Sequence, residues 1–234
     1  MGRYDFAKEP YIYYYYKSKP KEEIVINELS SFSFYLFRSG KDAYVSIENV
    51  PHALSPGDAV RVENGSLNVH VAGGSVEFLV AGTKEAHQKD SSIRVIKREN
   101  IKKVTKPWGY ELWISGEHPG YALKHIHIKS GFRTSLQYHR WKRETNVIFA
   151  GLAKCSYKNN QSILNDDLQE KDLAYFEMTP ISILNLDPEV VHRIESVEDI
   201  TLCEASTPHL DDVVRVLDDK KRGDGRIPEE HSPQ

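Results

Sequence analysis

Between Gly131 and Gly151 the chain reads GFRTSLQYHRWKRETNVIFAG, which sets an amide, an imidazole and a carboxylate in the spacing G-x5-Q-x-H-x4-E-x6-G. Alternate side chains of a β-strand share a face, so Gln137 and His139 point the same way, together with Ser135 and Arg133. A turn through Arg140 to Arg143 returns the chain, and Glu144 opens a partner strand with Asn146 and Ile148 on its face. His192 lies in LDPEVVHRIE, where Asp187-Pro188 marks a turn into another strand, and it supplies a fourth donor. Amide oxygen, carboxylate and two imidazoles suit one divalent ion (Zn, Mn, Fe, Co or Ni) and leave positions open for water or substrate.

The elements that must hold these residues are strands. Runs rich in Val, Ile, Tyr and Phe, broken by Gly, Pro, Asn and Asp, recur from Glu23 to Val80 and again from Tyr110 to Glu204. No strand-helix alternation accompanies them, which predicts an all-β barrel or sandwich and not a parallel α/β sheet. The basic stretch IRVIKRENIKKV, residues 93–104, separates the two series, as a linking strand or a short helical turn. The expected division is therefore 1–96, 97–217 and a mobile polar tail over 218–234, where DDKKRGDGRIPEEHSPQ offers almost nothing apolar to bury. The aromatic run YIYYYY at 11–16 is expected to fill a core or a dimer contact.

The chain has 234 residues, 39% hydrophobic and 28% charged, with a net charge of -3. That balance gives no global attraction for nucleic acid or anionic lipid, so neither is expected as a partner. No apolar stretch reaches the roughly 20 residues of a membrane span, nor does the start resemble a signal peptide, which predicts a cytoplasmic protein. Cys155 and Cys203 stand apart in strand-like contexts and are expected to be reduced core residues. His52, His70, His87, His118 and His209 lie outside the ligand spacing and are expected to be ordinary polar residues.

The second half resembles the cupin domain of the type II mannose-6-phosphate isomerase and mannose-1-phosphate guanylyltransferase family. The resemblance rests on Lys106-Pro107-Trp108-Gly109-Tyr110, Lys124, the block from Gly131 to Glu144, Gly151, His192-Arg193, Glu204-Ala205 and the run from Asp211 to Arg215. It implies a cupin jelly roll with Gln137, His139, Glu144 and His192 as metal ligands, and places Lys124 and Arg133 where a phosphorylated sugar binds. Arg143 and Arg215 are further candidate cations for that substrate, and Asn146 could orient a catalytic water beside Lys124 and Arg133. Departures are concentrated around the ligands. The family's Pro-x-Gly-x-x-His is Asp187-Pro188-Glu189-Val190-Val191-His192, and the residues following His139 are Arg140, Trp141, Lys142 and Arg143, which makes the pocket floor more polar. A Gly-rich nucleotidyltransferase signature is absent, so guanylyltransferase activity is not implied.

Ser55-Pro56-Gly57-Asp58 and the strands after it resemble half of a second cupin in which Asn68 or a neighbour replaces the ligand histidine. The expectation is a bicupin with a degenerate N-terminal barrel, working as a homodimeric, metal-dependent isomerase or epimerase of a sugar phosphate or nucleotide sugar. An Fe(II) oxygenase or a non-catalytic sugar-binding cupin is the alternative.

Overall fold

The strands expected from the β-branched and aromatic runs are present in the computed structural model, which describes residues 2–47, 53–158 and 173–231. Two compact units divide the chain: residues 1–102 with 114–123, and residues 103–113 with 124–234.

The first unit holds β1 (Gly2–Ala7), β2 (Ile12–Lys17), β3 (Glu22–Ile26), β4 (Ser31–Ser39), β5 (Tyr44–Ile47), β6 (Ala59–Glu63), β7 (Leu67–Ala72), β8 (Val76–Thr83) and β9 (Ser92–Ile96). They form a sheet in the order β1-β2-β8-β4-β6-β9 and a smaller one in the order β3-β7-β5. Alternation in β4 sends Phe32, Phe34 and Leu36 into a core shared with Ile26, Val45, Val69 and Phe78 from both sheets. Ser31 and Ser33 take the opposite face, where Ser33 Oγ lies 2.9 Å from Tyr121 Oη. Tyr11, Tyr13, Tyr14 and Tyr15 are all buried within this unit, so the aromatic run serves packing. The basic stretch contains both forms that its sequence left open. It is the edge strand β9 followed by a 3₁₀ turn at Arg98–Asn100, anchored by Asp58, which accepts from Lys97 Nζ at 2.8 Å and from the Arg98 N–H at 2.9 Å.

Residues 114–123 belong with the first unit because polar contacts tie them there. The carbonyl of Ile114 accepts from Arg61 Nε at 3.2 Å, and His118 Nε2 stands 2.9 Å from Glu63 Oε1. His118 is thus a satisfied buried residue, as expected; His52 lies outside the described residues.

The second unit contains β10 (Lys102–Lys106), β11 (Gly109–Trp113), β12 (Ala122–Ile128), β13 (Leu136–Tyr138), β14 (Glu144–Ala150), β15 (Ala153–Lys158), β16 (Ala174–Met178), β17 (Ile183–Leu186), β18 (Val191–Ser196), β19 (Ile200–Ser206) and β20 (Val214–Leu217), then a single helical turn, α1 (Pro228–His231). Its sheets run β10-β11-β12-β19-β14-β17 and β16-β15-β18-β13-β20, the two walls of a jelly roll. Ile126, Ile128, Ile148, Cys155, Ile194 and Leu202 make the apolar end of its core. Both cysteines are free and buried. Gly109 has φ +155°, and a Cβ there would lie 2.0 Å from the His127 carbonyl oxygen; only glycine lets β11 approach β12 so closely.

The polar stretch after β20 departs from expectation. Instead of hanging free, residues 218–231 lie against the barrel, and Arg222, Gly225, Arg226, Ile227 and His231 line its cavity. Ion pairs do what apolar burial could not: Glu230 meets Lys106 Nζ at 2.7 Å and Arg222 NH1 at 2.9 Å.

Candidate metal centre

The strand register assembles the site. In β14, Glu144, Asn146 and Ile148 share one face, and opposite them on β19 stand Ser206, Glu204 and Leu202. Across the barrel, Gln137 on β13 pairs with His192 on β18 and with Arg215 on β20. Three of the four expected ligands converge: one donor atom each from His139, Glu144 and His192 all lie within 4.8 Å of one another, and all three residues are buried. Among the described residues this is the one His/Cys/Asp/Glu group so placed. Gln137 lines the same cavity, with its Oε1 accepting from Ser135 Oγ at 2.6 Å.

Both imidazoles are oriented from behind. His139 Nδ1 lies 2.7 Å from the Asp212 carbonyl oxygen and His192 Nδ1 lies 3.0 Å from that of Val190, so each Nδ1 carries a proton, and in the neutral His139 ring Nε2 presents a lone pair. His139 Nε2 is buried with no hydrogen-bond partner, 3.6 Å from Glu144 Oε2, and His192 Nε2 is 3.2 Å from Glu144 Oε1. Burial, reinforced by Lys142, pushes the His139 pKa down to about 3, which keeps the ring neutral at pH 7 as metal ligation requires. Asp212 also fixes the turn that carries His139, because its carboxylate accepts from the backbone N–H of Trp141 and, at 3.0 Å, from that of Lys142.

A buried charge network surrounds the trio. Lys142 Nζ bridges Glu144 and Glu204, donating to Glu204 Oε1 at 2.7 Å; the two carboxylates outweigh its desolvation and hold it charged. Burial alone would raise the Glu144 pKa, but Lys142 first, and then the contact with His192, hold it well below the usual carboxylate range. Asn146 Nδ2 donates to Glu144 Oε1 at 3.1 Å and so positions the carboxylate. Lys124 Nζ stands 3.5 Å from Glu111 Oε2 and 3.7 Å from Glu204 Oε1, over the Trp113 ring. Among the described residues lining this cavity of about 100 Å³, six are Lys or Arg and three are Glu.

Of the cations named from the sequence, Lys124 and Arg215 line the cavity and Arg133 and Arg143 do not. Arg133 was expected to share the metal face by alternation. The regular strand begins only at Leu136, and Asp219 captures the guanidinium at 2.8 and 2.9 Å in a neighbouring cleft. Arg143 is tied at the surface to Asp187. Conversely, Lys142, Glu111, Glu204, Arg222 and Arg226 line the cavity without having been named as site residues. Period-two alternation carried a signal for two of them, Glu111 and Glu204, which fall on the inward faces of β11 and β19, whereas Lys142 lies in the turn before β14. Nothing local signalled Arg222 or Arg226.

Glu111 gives a pH prediction. Burial would raise its pKa, but Lys124 first, then Lys106, the Trp113 Nε1–H at 2.8 Å and Lys142, pull it from the usual 4.5 to about 2. A folded-state pKa below the unfolded one means that the contribution is complete above pH 4.5 and is lost as pH falls toward 2, about 3 kcal/mol in all. Urea titrations at pH 7, 4.5 and 3 should show this acid limb, and Glu111→Gln should flatten it while lowering stability at pH 7; an unchanged limb in the variant would discount the network.

The comparisons agree with this architecture. Oxalate decarboxylase of Lactobacillus farciminis in its formate complex superposes with TM-score 0.65 at 11% identity, over 88% of this chain and 79% of that one. The E. coli protein Ylba, of family DUF861, gives 0.64 at 8% identity over 88% and 83%, and AerE of Microcystis aeruginosa gives 0.61 at 11% over 86% and 90%. At such identities these likenesses establish the shared fold alone, in which two cupin jelly rolls lie on one chain. No curated protein matches the sequence. No described helix is long and apolar enough to cross a membrane. Residues 94–216, just over half of the chain, match the family described as mannose-6-phosphate isomerase C-terminal, with the donor trio inside the matched stretch, and the chain belongs to that cupin family.

Proposed function

We propose that the chain is a metal-dependent isomerase or epimerase of a phosphorylated or nucleotide-linked sugar, with Gln137, His139, Glu144 and His192 holding one divalent ion. The observation that carries this reading is the unpartnered, buried His139 Nε2 facing Glu144 beside a second imidazole oriented in the same manner. A bare lone pair in that setting costs free energy unless a ligand takes it, and a divalent ion fits both its softness and the adjacent carboxylate. When bound, the ion supplies Lewis-acid polarisation of the carbonyl and hydroxyl pair that changes places in an isomerisation.

The chain's own residues bind and orient the sugar. Lys124 stands at more than hydrogen-bonding length from a tight ion pair, which leaves its ammonium able to donate to a ligand oxygen. Glu204 lies outside the ligand set, between Lys124 and Lys142, and is the carboxylate placed to pass a proton to or from a bound sugar. Asn146 acts through Glu144 as a positioning residue.

The test is incubation of metal-loaded protein with phosphorylated aldoses and nucleotide sugars in heavy water, followed by NMR. Deuterium should enter the product at the carbon next to the carbonyl, and Lys124→Met should lower kcat/KM by about tenfold or more, the loss of one charge-assisted contact. Oxygen consumption with Fe(II) and no isomerised product would favour the oxygenase reading, since two imidazoles and a carboxylate suit that chemistry equally. Tight sugar binding without turnover would leave a binding module.

A further inference from the structure

The cavity of about 100 Å³ is smaller than the roughly 300–1,000 Å³ of sites that take ligands of substrate size, so a phosphosugar enters only if part of the wall gives way. The wall supplied by residues 218–231 is the part held by charge. Its helical turn α1 buries no residue, and Glu230 is fixed by two cations from separate elements. Lys106 Nζ of β10 meets Glu230 Oε2 at 2.7 Å, while Arg222 NH1 meets Glu230 Oε1 at 2.9 Å. All three side chains are only 10–12% exposed. Each carboxylate oxygen thus faces its own cation, the arrangement by which a lysine and an arginine clamp a phosphate. Without Glu230, Lys106 keeps only Glu111 Oε1 at 3.9 Å, whereas Arg222 stays anchored by Asp218 at 2.6 Å.

We propose that Lys106 and Arg222 form an anion subsite for the phosphate of the ligand, that Glu230 occupies it as an internal stand-in, and that the incoming phosphate displaces Glu230 and frees the segment 218–231 from the cavity. A phosphate monoester carries up to twice the charge of a carboxylate and three acceptor oxygens, so it outcompetes Glu230 once the sugar is also held. Lys106 and Arg222 thereby take the role that the family resemblance implied for Arg133. The naming of a phosphorylated substrate rests on the proposed function; the subsite itself does not depend on metal.

The probe is inorganic phosphate, titrated calorimetrically at low ionic strength into chelator-treated, metal-free full chain. Glu230→Gln should bind phosphate up to about fivefold more tightly than the parent, the worth of one partly exposed ion pair removed from competition. Arg222→Ala should bind it about tenfold more weakly, the loss of a charge-assisted contact. Glu229→Gln, the same charge change at the exposed neighbouring residue, should leave affinity unaltered. The proposal is overturned if Glu230→Gln binds no more tightly than the parent, if Glu229→Gln gains as much, or if metal-free protein binds no phosphate at all. Because no metal is present, these results stand whether or not isomerase activity is ever found.

Discussion

Replacing His139 or His192 by Ala is expected to abolish stoichiometric metal binding, whereas the parent chain should hold close to one divalent ion. Loss of an outer partner of a metal ligand commonly costs about 10–100-fold in affinity, and loss of the ligand itself must exceed that. The parent should also gain stability from metal, about 2.7 kcal/mol at a hundred times the dissociation constant, because the ion binds the folded site and not the unfolded chain. Both variants should lose that increment in urea titrations. Gln137→Ala should weaken binding without abolishing it, since a neutral amide oxygen contributes less than imidazole or carboxylate. His70→Ala is the control: His70 is on β7 of the first unit, beside Glu23 at 3.5 Å and outside the donor trio. Metal retained by the His139→Ala/His192→Ala double variant, measured by elemental analysis, would sink the assignment.

Lys142→Met should be the most destabilising single change in the second unit when the protein is free of metal. Lys142 has a 5% exposed side chain and is the shared cation of Glu144 and Glu204. Methionine fills the volume and leaves two buried carboxylates short of a positive charge, a loss of about 3–5 kcal/mol for broken buried pairs. The signature is its dependence on metal. A divalent ion on Glu144 restores part of the missing charge, so the penalty should shrink in metal-loaded protein, and adding Glu204→Gln should shrink it further. A metal-free Lys142→Met protein within about 1 kcal/mol of its parent would show that the lysine is dispensable to the network.

These expectations draw unequally on sequence and fold. The ligand spacing was legible because it is local: Gln137 lies on β13, His139 follows directly after its end and lines the same cavity, and Glu144 opens the next strand. The resemblance carried by the block from Gly131 to Glu144 and by Lys106 to Tyr110 then supplied the barrel and, with it, His192. Arg133 shows where local periodicity stops. Alternation applies only where the backbone is regular, and three residues before β13 it is not.

By itself, then, the sequence carried the all-β architecture in its strand period and turn residues, which act over a few positions, the jelly rolls in its family resemblance, and the proposed donor set in both. The tertiary structure decided which charges meet. Lys142 with Glu204, Lys124 with Glu111, and Glu230 with Lys106 and Arg222 are contacts across strands or between distant segments, and no short-range pattern specifies them. The tail makes the same distinction. Composition rightly found nothing in residues 218–231 able to form a hydrophobic core, but a segment can also be held by complementary charge, and the partner of Glu230 on β10 lies 124 residues earlier in the chain. A buried ion pair forms only where the fold excludes water from both partners at once, and that is a property of the assembled barrel.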